Sequence, residues 1–286
     1  RSVQPNFSPA RTYESVSVFS EVIFQPSQVT AVMRRAFHAL RNGRPGPVIV
    51  EIPQDIGAME IDEDILASYS PPKRHRFAPD QADVVEAVKL LASAKKPVIW
   101  SGMGVLLSGA TKELQEFAEL MEIPVYCTMP GKSGFDQRHP LSLGSGSAAT
   151  SKEAWEWLQE SDVLLGVGSS LTRTGYGQPI PDGKLMIHNT ETISDLNKDF
   201  SVDVGLVGDA KLTLENLISE AKRQLGEGGK RGTTGVAQQI ADIHKEWMNE
   251  WVALLSSDEV PISAYRVIGE LERGLDKENS VVTHDA

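Results

Sequence analysis

The sequence predicts an α/β protein whose central part is a doubly wound parallel sheet. Short apolar segments alternate with amphipathic segments along most of the chain, which is the arrangement of strands and crossover helices in a parallel sheet. The clearest strand is "DVLLGVG" at residues 162–168, which is apolar enough to be covered on both faces. Glycines follow several of the apolar segments, as expected where a strand turns sharply into the next element.

The first unit, residues 1–63, contains a helix followed by a strand. Between residues 27 and 41 the apolar side chains recur at spacings of three and four, which predicts an amphipathic helix. Gly43 suits the left-handed conformation that ends such a helix, and Pro45 and Pro47 prevent its continuation. The β-branched segment at residues 48–52 predicts a strand covered on both faces. Residues 64–80 carry a cluster of proline and basic residues typical of an interdomain linker.

Residues 81–224 form the predicted central domain, a Rossmann-like sheet with helices on both faces. Trp155 and Leu158 are predicted to point inward from their helix. Residues 225–260 are predicted to be a glycine-rich linker and a helix, and residues 261–286 to begin a further α/β unit, with a strand starting at Ser280. Helices are predicted at 82–92, 110–121, 152–159, 210–223, 236–255 and 262–275, and central strands at 97–100, 124–127, 162–168, 184–188 and 202–207.

The composition is that of a soluble globular protein. Of 286 residues, 40% are hydrophobic and 23% are charged, and the formal net charge is −11 at pH 7. We expect no binding to nucleic acid, because the chain is acidic, and no membrane span, because no apolar run is long enough. The single Cys127 and the lack of a signal-peptide pattern indicate a cytoplasmic protein. The polar start at Arg1 and the apolar segment before Ala286 indicate an internal piece of a longer polypeptide.

The candidate binding residues lie where predicted strands end, because ligands of an open parallel sheet bind at the carboxyl ends of its strands. Glycine there lets a phosphate approach the backbone, and a following helix offers unpaired N–H groups. Tight turns without a ligand carry the same glycines, so both interpretations remain open. Arg173 either binds a phosphate or carboxylate or is a solvated loop residue. The candidate turn residues are Gly102, Gly104, Gly144, Ser145, Gly168, Ser169, Gly208 and Asp209.

Other catalytic and metal-binding patterns are not supported. The motif GxGxxG is incomplete after Gly104, and the segment around Lys132 is not a P-loop, because Tyr126 stands where the first glycine belongs. The six histidines lack the spacing of metal ligands, and no nucleophile elbow occurs. We therefore predict neither a metal site nor a hydrolase triad, and we interpret His139 as structural.

Segments along nearly the whole chain resemble, in order, thiamine diphosphate enzymes of the acetolactate synthase type. "RNGRPGPVIVEIP" resembles the end of their pyrimidine-binding domain. "KPVIWSGMGV", "IPVYCTMPGKSGFDQRHPLSLGSG", "SDVLLGVGSSLT" and "VGLVGDAKLTLENL" resemble their central domain. "PISAYRVIGEL" and "VVTHDA" resemble the entry to their pyrophosphate-binding domain. The order and spacing of the segments are more specific than any one motif.

The resemblance implies three α/β domains, with thiamine diphosphate and Mg²⁺ bound between the pyrimidine domain of one subunit and the pyrophosphate domain of another. It therefore implies a homodimer or homotetramer. The catalytic glutamate would precede Arg1, and the Gly-Asp-Gly motif that holds Mg²⁺ is absent from the sequence. The chain is accordingly expected to carry no catalytic residue and no metal ligand, and to be inactive alone. Only Asp285 and His284 would approach the thiamine diphosphate.

The resemblance also implies that the central domain either binds FAD or ADP or is empty. Acetolactate synthases bind FAD there, but this sequence has Gly-Ser-Gly-Ser at residues 144–147 instead of a Gly-Met-His-Gly loop. Asn189 replaces an acidic strand end and keeps the ability to hydrogen-bond a ribose hydroxyl.

The implied activity is decarboxylation of a 2-oxo acid and transfer of the resulting carbanion to a second carbonyl. One alternative is a thiamine-dependent decarboxylase or lyase acting on another 2-oxo acid or on an acyl-CoA. The other is a nucleotide-binding α/β domain without catalysis.

Overall fold

The computed structural model describes residues 7–230 and 232–283, and its first unit is built on two strands. The elements of this unit are α1 (Pro9–Thr12), β1 (Phe19–Val22), α2 (Val29–Arg41), β2 (Val48–Glu51), α3 (Gln54–Gly57) and α4 (Glu63–Ala67). The two strands pair in parallel, and α2 packs against them. Gly43 follows α2 with φ of 70°, as predicted. The described residues leave β2 half-buried, so the prediction of a strand covered on both faces is wrong for this part of the chain.

The central sheet has six strands, and every adjacent pair is parallel. The strands are β3 (Pro97–Ser101), β4 (Val125–Thr128), β5 (Ser142–Gly146), β6 (Val163–Val167), β7 (Leu185–Thr190) and β8 (Val204–Val207). All five residues of β6 are buried, as its uninterrupted apolar sequence predicts. The predicted parallel α/β fold is therefore confirmed.

The strand order, β5-β4-β3-β6-β7-β8, creates a switch point between β3 and β6. From β3 the chain builds outward to β4 and β5, then returns to the other side of β3 and builds outward to β7 and β8. The connections after β3 and after β6 therefore leave in opposite directions and open a crevice at the carboxyl edge of the sheet. In open α/β sheets, ligands bind in this crevice.

Helices cover both faces of the sheet. The remaining helices are α5 (Gln81–Ser93), α6 (Met103–Ser108), α7 (Thr111–Met121), α8 (Lys152–Glu160), α9 (Ala210–Leu225), α10 (Val236–Leu255) and α11 (Ala264–Gly274). One core lies between the sheet and α5, α7 and α9, and the second lies between the sheet and α8 and α10. The prediction for Trp155 is wrong: it is 53% exposed, while Trp157 is 1% exposed and donates a hydrogen bond from its Nε1 to Pro97 O. Two positions along an α-helix differ by a rotation of about 200°, so Trp155 and Trp157 lie on nearly opposite faces of α8.

The predicted glycine-rich linker is fixed to the central domain and is called the strap here, defined as residues 226–230 and 232–235. Glu122, just after α7, accepts hydrogen bonds from the backbone N–H groups of Gly232 and Thr234 and from the Thr234 hydroxyl. The Lys230 N–H donates to Leu120 O. Burial disfavours the ionised carboxyl, but the hydrogen bonds from Thr234 and its neighbours outweigh it and lower the pKa of Glu122. The strap thus lies at the amino edge of the sheet, where α7 ends.

The described part of the chain ends without the strand predicted from Ser280. Residues 280–283 have no regular structure and pair with no described strand, and Val281 is exposed. An apolar β-branched sequence forms a strand only where a partner supplies its hydrogen bonds. His284 and Asp285, the residues expected near thiamine diphosphate, lie outside the described residues. Among the described helices, none has the length and apolar character that a membrane span requires.

Candidate ligand site at the switch point

A cavity of about 1010 Å³ opens at the carboxyl edge of the sheet, at the switch point. Its walls come from the turns that follow β3, β6 and β7, from the α2–β2 turn and the linker, and from the long connection between β6 and β7. Apolar side chains such as Met103, Leu107, Met129 and Phe200 line much of it. The volume is that of a site for a drug-sized molecule or a nucleotide.

Gly102, Gly104 and Gly168 lie together in this cavity wall, and their lack of side chains allows the start of α6 to touch the turn after β6. Gly104 lies inside α6 and not in the turn that the sequence predicted. A Cβ on Gly104 would lie 2.6 Å from Gly168 Cα, and a Cβ on Gly102 would overlap Gly168 O. Their N–H groups are also engaged: Gly102 donates to Val167 O (2.9 Å) and Gly104 to Gly168 O (2.8 Å). In the described structure these glycines serve the packing of α6 on the turn after β6, and the N–H groups of Gly102 and Gly104 already have acceptors within the chain.

Asn189, at the end of β7, is completely buried and joins four segments. Its Oδ1 accepts a hydrogen bond from the Gly168 N–H (3.0 Å). Its Nδ2, with two N–H groups, faces three acceptors: Leu206 O (2.9 Å), Gly208 O (3.0 Å) and Thr213 Oγ1 (2.9 Å). The amide is therefore fully used inside the protein, and a ribose hydroxyl would have to displace one of these partners.

Gly208 and Asp209 connect the linker to the sheet. A Cβ on Gly208 would lie 2.9 Å from Phe77 O. Asp209 is buried and caps α9 by accepting hydrogen bonds from two N–H groups of its first turn. Its Oδ2 faces Arg74 (3.5 Å) and Arg76 (3.7 Å) of the linker. Both residues thus hold the linker at the carboxyl edge.

Two arginines of the cavity wall, Arg44 and Arg74, were not singled out from the sequence. Arg44, in the α2–β2 turn, forms an ion pair with Asp195 (2.9 Å). Arg74 donates to Leu107 O (3.0 Å) and faces Glu191 (3.7 Å). Their signal in the sequence was only a basic residue next to a proline (Arg44) or in a cluster of proline and basic residues (Arg74), which is also the composition of a solvated linker.

Arg173 lies in an exposed loop and lines the cavity, which leaves both interpretations from the sequence open. Its guanidinium stacks over the Phe200 ring at 4.5 Å and pairs with Asp182 at 3.3 Å. The backbone N–H of Arg173 donates a hydrogen bond to Asp199 Oδ2 (2.9 Å). These contacts fix Arg173 in the connection between β6 and β7 and keep its positive charge at the cavity.

The four residues 144–147 form no turn, contrary to the sequence analysis. Gly144 and Ser145 lie within the edge strand β5, away from the cavity lining, and Ser145 Oγ accepts a hydrogen bond from Gln137. Gly146 and Ser147 line the cavity instead. Pairing with β4 extends β5 to Gly146, which places the turn two residues later than the glycines suggested.

Two ionisable groups near the cavity have altered proton affinity. Burial, with the nearby Asp209 carboxylate, raises the pKa of Glu191, and Arg74 partly offsets this. Burial lowers the pKa of His188, whose Nε2–H donates to Ser169 O (2.7 Å).

His139 accepts the Leu141 N–H at Nδ1 (3.1 Å) and faces Glu119 with Nε2 (3.2 Å). These two contacts agree with the structural interpretation of His139.

The cavity residues fit a nucleotide better than a metal ion. Three guanidiniums suit phosphate groups, apolar walls suit an aromatic ring, and hydroxyl and carboxyl groups suit a ribose. No group of three or more His, Cys, Asp or Glu residues in the described ranges is arranged to hold a metal ion. The described residues also include no group expected to hold thiamine diphosphate.

The fold and the cavity define a parallel α/β domain with a ligand site at its switch point, and comparison with known proteins gives its family. Residues 84–217 match the family model of the thiamine pyrophosphate enzyme central domain; thiamine pyrophosphate is another name for thiamine diphosphate. Residues 84–217 are therefore the central domain of a thiamine pyrophosphate enzyme, and the chain as a whole is acetolactate synthase-like in sequence.

Two curated relatives extend over most of the chain. The chain is 32% identical over 270 residues to "Probable acetolactate synthase large subunit" of Methanococcus aeolicus, covering 90% of this chain and 45% of that protein. It is 29% identical over 278 residues to "Glyoxylate carboligase" of Escherichia coli O157:H7, covering 94% of this chain and 45% of that protein. The chain thus spans less than half the length of these relatives.

A solved structure has the same fold. Benzoylformate decarboxylase from Polynucleobacter necessarius is similar with a TM-score of 0.60 and 23% identity, over 71% of this chain and 39% of that one.

Proposed function

We propose that the protein is a thiamine diphosphate-dependent carboligase that decarboxylates a 2-oxo acid and transfers the resulting carbanion to a second carbonyl compound. The central-domain match over residues 84–217 carries the proposal, and the names of the two curated relatives support it. Thiamine diphosphate, when bound, would supply the electron sink that loss of carbon dioxide from a 2-oxo acid requires. The sequence lacks the Gly-Asp-Gly motif for Mg²⁺, so the proposal concerns the whole protein, not catalysis by these residues.

The proposal includes the organisation of the protein. Residues 1–63 end the pyrimidine domain, 64–80 are a linker, 81–224 form the central domain, 225–260 link onward and 261–286 begin the pyrophosphate domain. The assembly is a homodimer or homotetramer in the cytoplasm, and His284 and Asp285 approach thiamine diphosphate. Sedimentation of the full-length protein tests the assembly, and an active monomer would contradict it.

We also propose that the switch-point cavity binds an adenine nucleotide, either FAD or ADP. Arg44, Arg74 and Arg173 would receive the phosphates, and the apolar wall around Met103 and Met129 would receive a ring. The support is the combination of a volume of about 1010 Å³ with three guanidiniums and an apolar lining.

The activity is tested on purified full-length protein with a panel of 2-oxo acids that includes glyoxylate. Carbon dioxide release and a product with a new carbon–carbon bond, both requiring added thiamine diphosphate and Mg²⁺, are the expected results. Carbon dioxide with an aldehyde as sole product would favour the decarboxylase alternative. Nucleotide binding without any carbon dioxide release would favour the non-catalytic alternative.

The nucleotide is tested by the visible spectrum of the purified protein and by its melting temperature with added FAD or ADP. Arg74→Gln should reduce the rise in melting temperature, whereas Lys132→Gln, at an exposed residue outside the cavity lining, should not. Absence of flavin absorbance, together with no thermal shift from either nucleotide, would remove the nucleotide from the proposal.

A further inference from the structure

The ion pair between Arg44 and Asp195 lies in the cavity wall and connects two units of the protein. Asp195 belongs to a short 3₁₀ helix, Ile193–Asp195, after β7, and is only 6% exposed. Its Oδ1 accepts hydrogen bonds from Arg44 (2.9 Å) and Lys198 (3.2 Å), and its Oδ2 accepts one from the Thr190 hydroxyl (3.1 Å). The Arg44 side chain is 58% exposed, so the guanidinium is accessible while the carboxylate is not.

Arg44 lies in the turn between α2 and β2, which is connected to the central domain directly and through the linker. The pair with Asp195 is a direct contact with the central domain. The indirect contact passes through the linker, where Asn42 Oδ1 accepts the His75 N–H (2.7 Å) and Arg41 donates to Pro72 O (2.7 Å). Loss of the Asp195 pair would leave the turn held to the central domain only through this linker and local packing.

The guanidiniums that line the cavity are already paired with carboxylates of the chain. Arg44 faces Asp195, Arg173 faces Asp182, and Arg74 faces two carboxylates. An anionic ligand therefore meets no unpaired guanidinium among the described lining residues and has to compete for one. Arg44 can leave Asp195 without stranding a buried charge, since Lys198 and the Thr190 hydroxyl continue to satisfy the Asp195 carboxylate.

We propose that Asp195 is a positioning residue that holds Arg44 in the cavity wall and competes with the phosphate of a bound nucleotide for it. Nucleotide binding then transfers Arg44 from Asp195 to the ligand and releases the α2–β2 turn from the central domain. This inference rests on the proposed nucleotide site and adds a coupling between that site and the first unit. Because coupling is reciprocal, weakening the Arg44–Asp195 pair tightens nucleotide binding.

The test uses full-length protein, with ADP as the probe in isothermal titration calorimetry and hydrogen exchange to follow the amides of residues 42–50. Asp195→Asn keeps the size of the side chain and removes its charge. It should tighten ADP binding about tenfold, within the usual range of coupling between sites. Asp195→Asn should also speed hydrogen exchange at residues 42–50 in the absence of ADP. In wild type, exchange at these residues should speed up only when ADP is added.

Two further variants separate the coupling from general destabilisation. Arg44→Gln should release the turn as Asp195→Asn does but should weaken ADP binding, so the two affinities change in opposite directions. Asp182→Asn removes the carboxylate beside Arg173 and should leave exchange at residues 42–50 at the wild-type rate.

Three results would overturn the inference. Unchanged or weaker ADP binding by Asp195→Asn would contradict the competition, and unchanged exchange at residues 42–50 would contradict the anchoring. In both cases, binding of ADP by wild type would still support the proposed nucleotide site. Failure of ADP to bind wild type, Asp195→Asn and Asp182→Asn would overturn the coupling, and together with the absence of a thermal shift from FAD it would also overturn the nucleotide site.

Discussion

Replacement of Asn189 by aspartate should destabilise the central domain strongly, although the two side chains have almost the same shape. The Asn189 amide faces three acceptors, Leu206 O, Gly208 O and Thr213 Oγ1, at 2.9–3.0 Å. An ionised carboxylate offers no donor to these oxygens and places a negative charge beside them. Each buried group left without a partner costs about 1–3 kcal/mol, and two N–H donors are lost. We therefore expect the free energy of unfolding to fall by about 3 kcal/mol or more at pH 7.

The pH dependence of the variant gives a second signature. Burial, with the Gly168 N–H as the one donor facing the side chain, raises the pKa of an aspartate at this position above its unfolded value. The protonated acid can donate one O–H, so the loss of stability should be smallest below the unfolded pKa of about 3.9 and should grow as pH rises through the folded pKa. Wild type has an amide there and lacks this dependence.

The assay is urea unfolding followed by circular dichroism between pH 4 and pH 8. Asn197→Asp is the matched control: Asn197 is exposed, uses only its Oδ1 to accept the Val202 N–H, and should change stability by less than about 0.5 kcal/mol. A loss below about 1 kcal/mol for Asn189→Asp at pH 7, or an equal loss in the control, would refute the assignment of Nδ2 as the donor that joins these segments.

Three other substitutions or reagents test the packing. Gly104→Ala should lower the free energy of unfolding in urea by about 2 kcal/mol or more, because its Cβ would lie 2.6 Å from the turn after β6. Gly175→Ala has open space around it and should be nearly neutral. Equal effects of the two substitutions would contradict the close approach. Trp157→Ala should cost about 3–5 kcal/mol and Trp155→Ala less than about 1 kcal/mol, and the reverse order would contradict the inward face of α8. Burial raises the pKa of Cys127 to about 11 despite hydrogen bonds that oppose it, so iodoacetamide at pH 8 should label it only in urea, and fast labelling of folded protein would contradict its burial.

The sequence was sufficient for the parallel α/β class and for the sites where strands end, because both depend on local patterns. The strand predicted at residues 162–168 is observed as β6 (Val163–Val167), and the helix predicted at residues 236–255 is observed as α10 (Val236–Leu255). The family was likewise confirmed, because the order of several segments carries more information than any one of them.

The contacts between segments were not predictable, because they depend on residues far apart in the chain. Arg44 and Asp195 are 151 positions apart, and neither belongs to a pattern that names its partner. Gly102 and Gly168 were correctly placed where β3 and β6 end, but Gly104, predicted in a turn, lies inside α6, and the space beside these glycines is filled by backbone. The positions of Gly144 and Ser145 depended on how far β5 pairs with β4, which no local pattern records.

The strap fixes the amino end of α10 to the central domain. The 20 residues of α10 correspond to about 30 Å, starting at the amino edge of the sheet and running along α8. A rotation of α10 by about 10° about its amino end would displace its carboxyl end, where α11 packs, by about 5 Å over this length. Any such rotation has to break the contacts of α10 with α8, His244 to Glu153 and Glu250 to Lys152. The glycine-rich composition of the strap therefore does not give the following helices free movement, and their direction is set by the central domain.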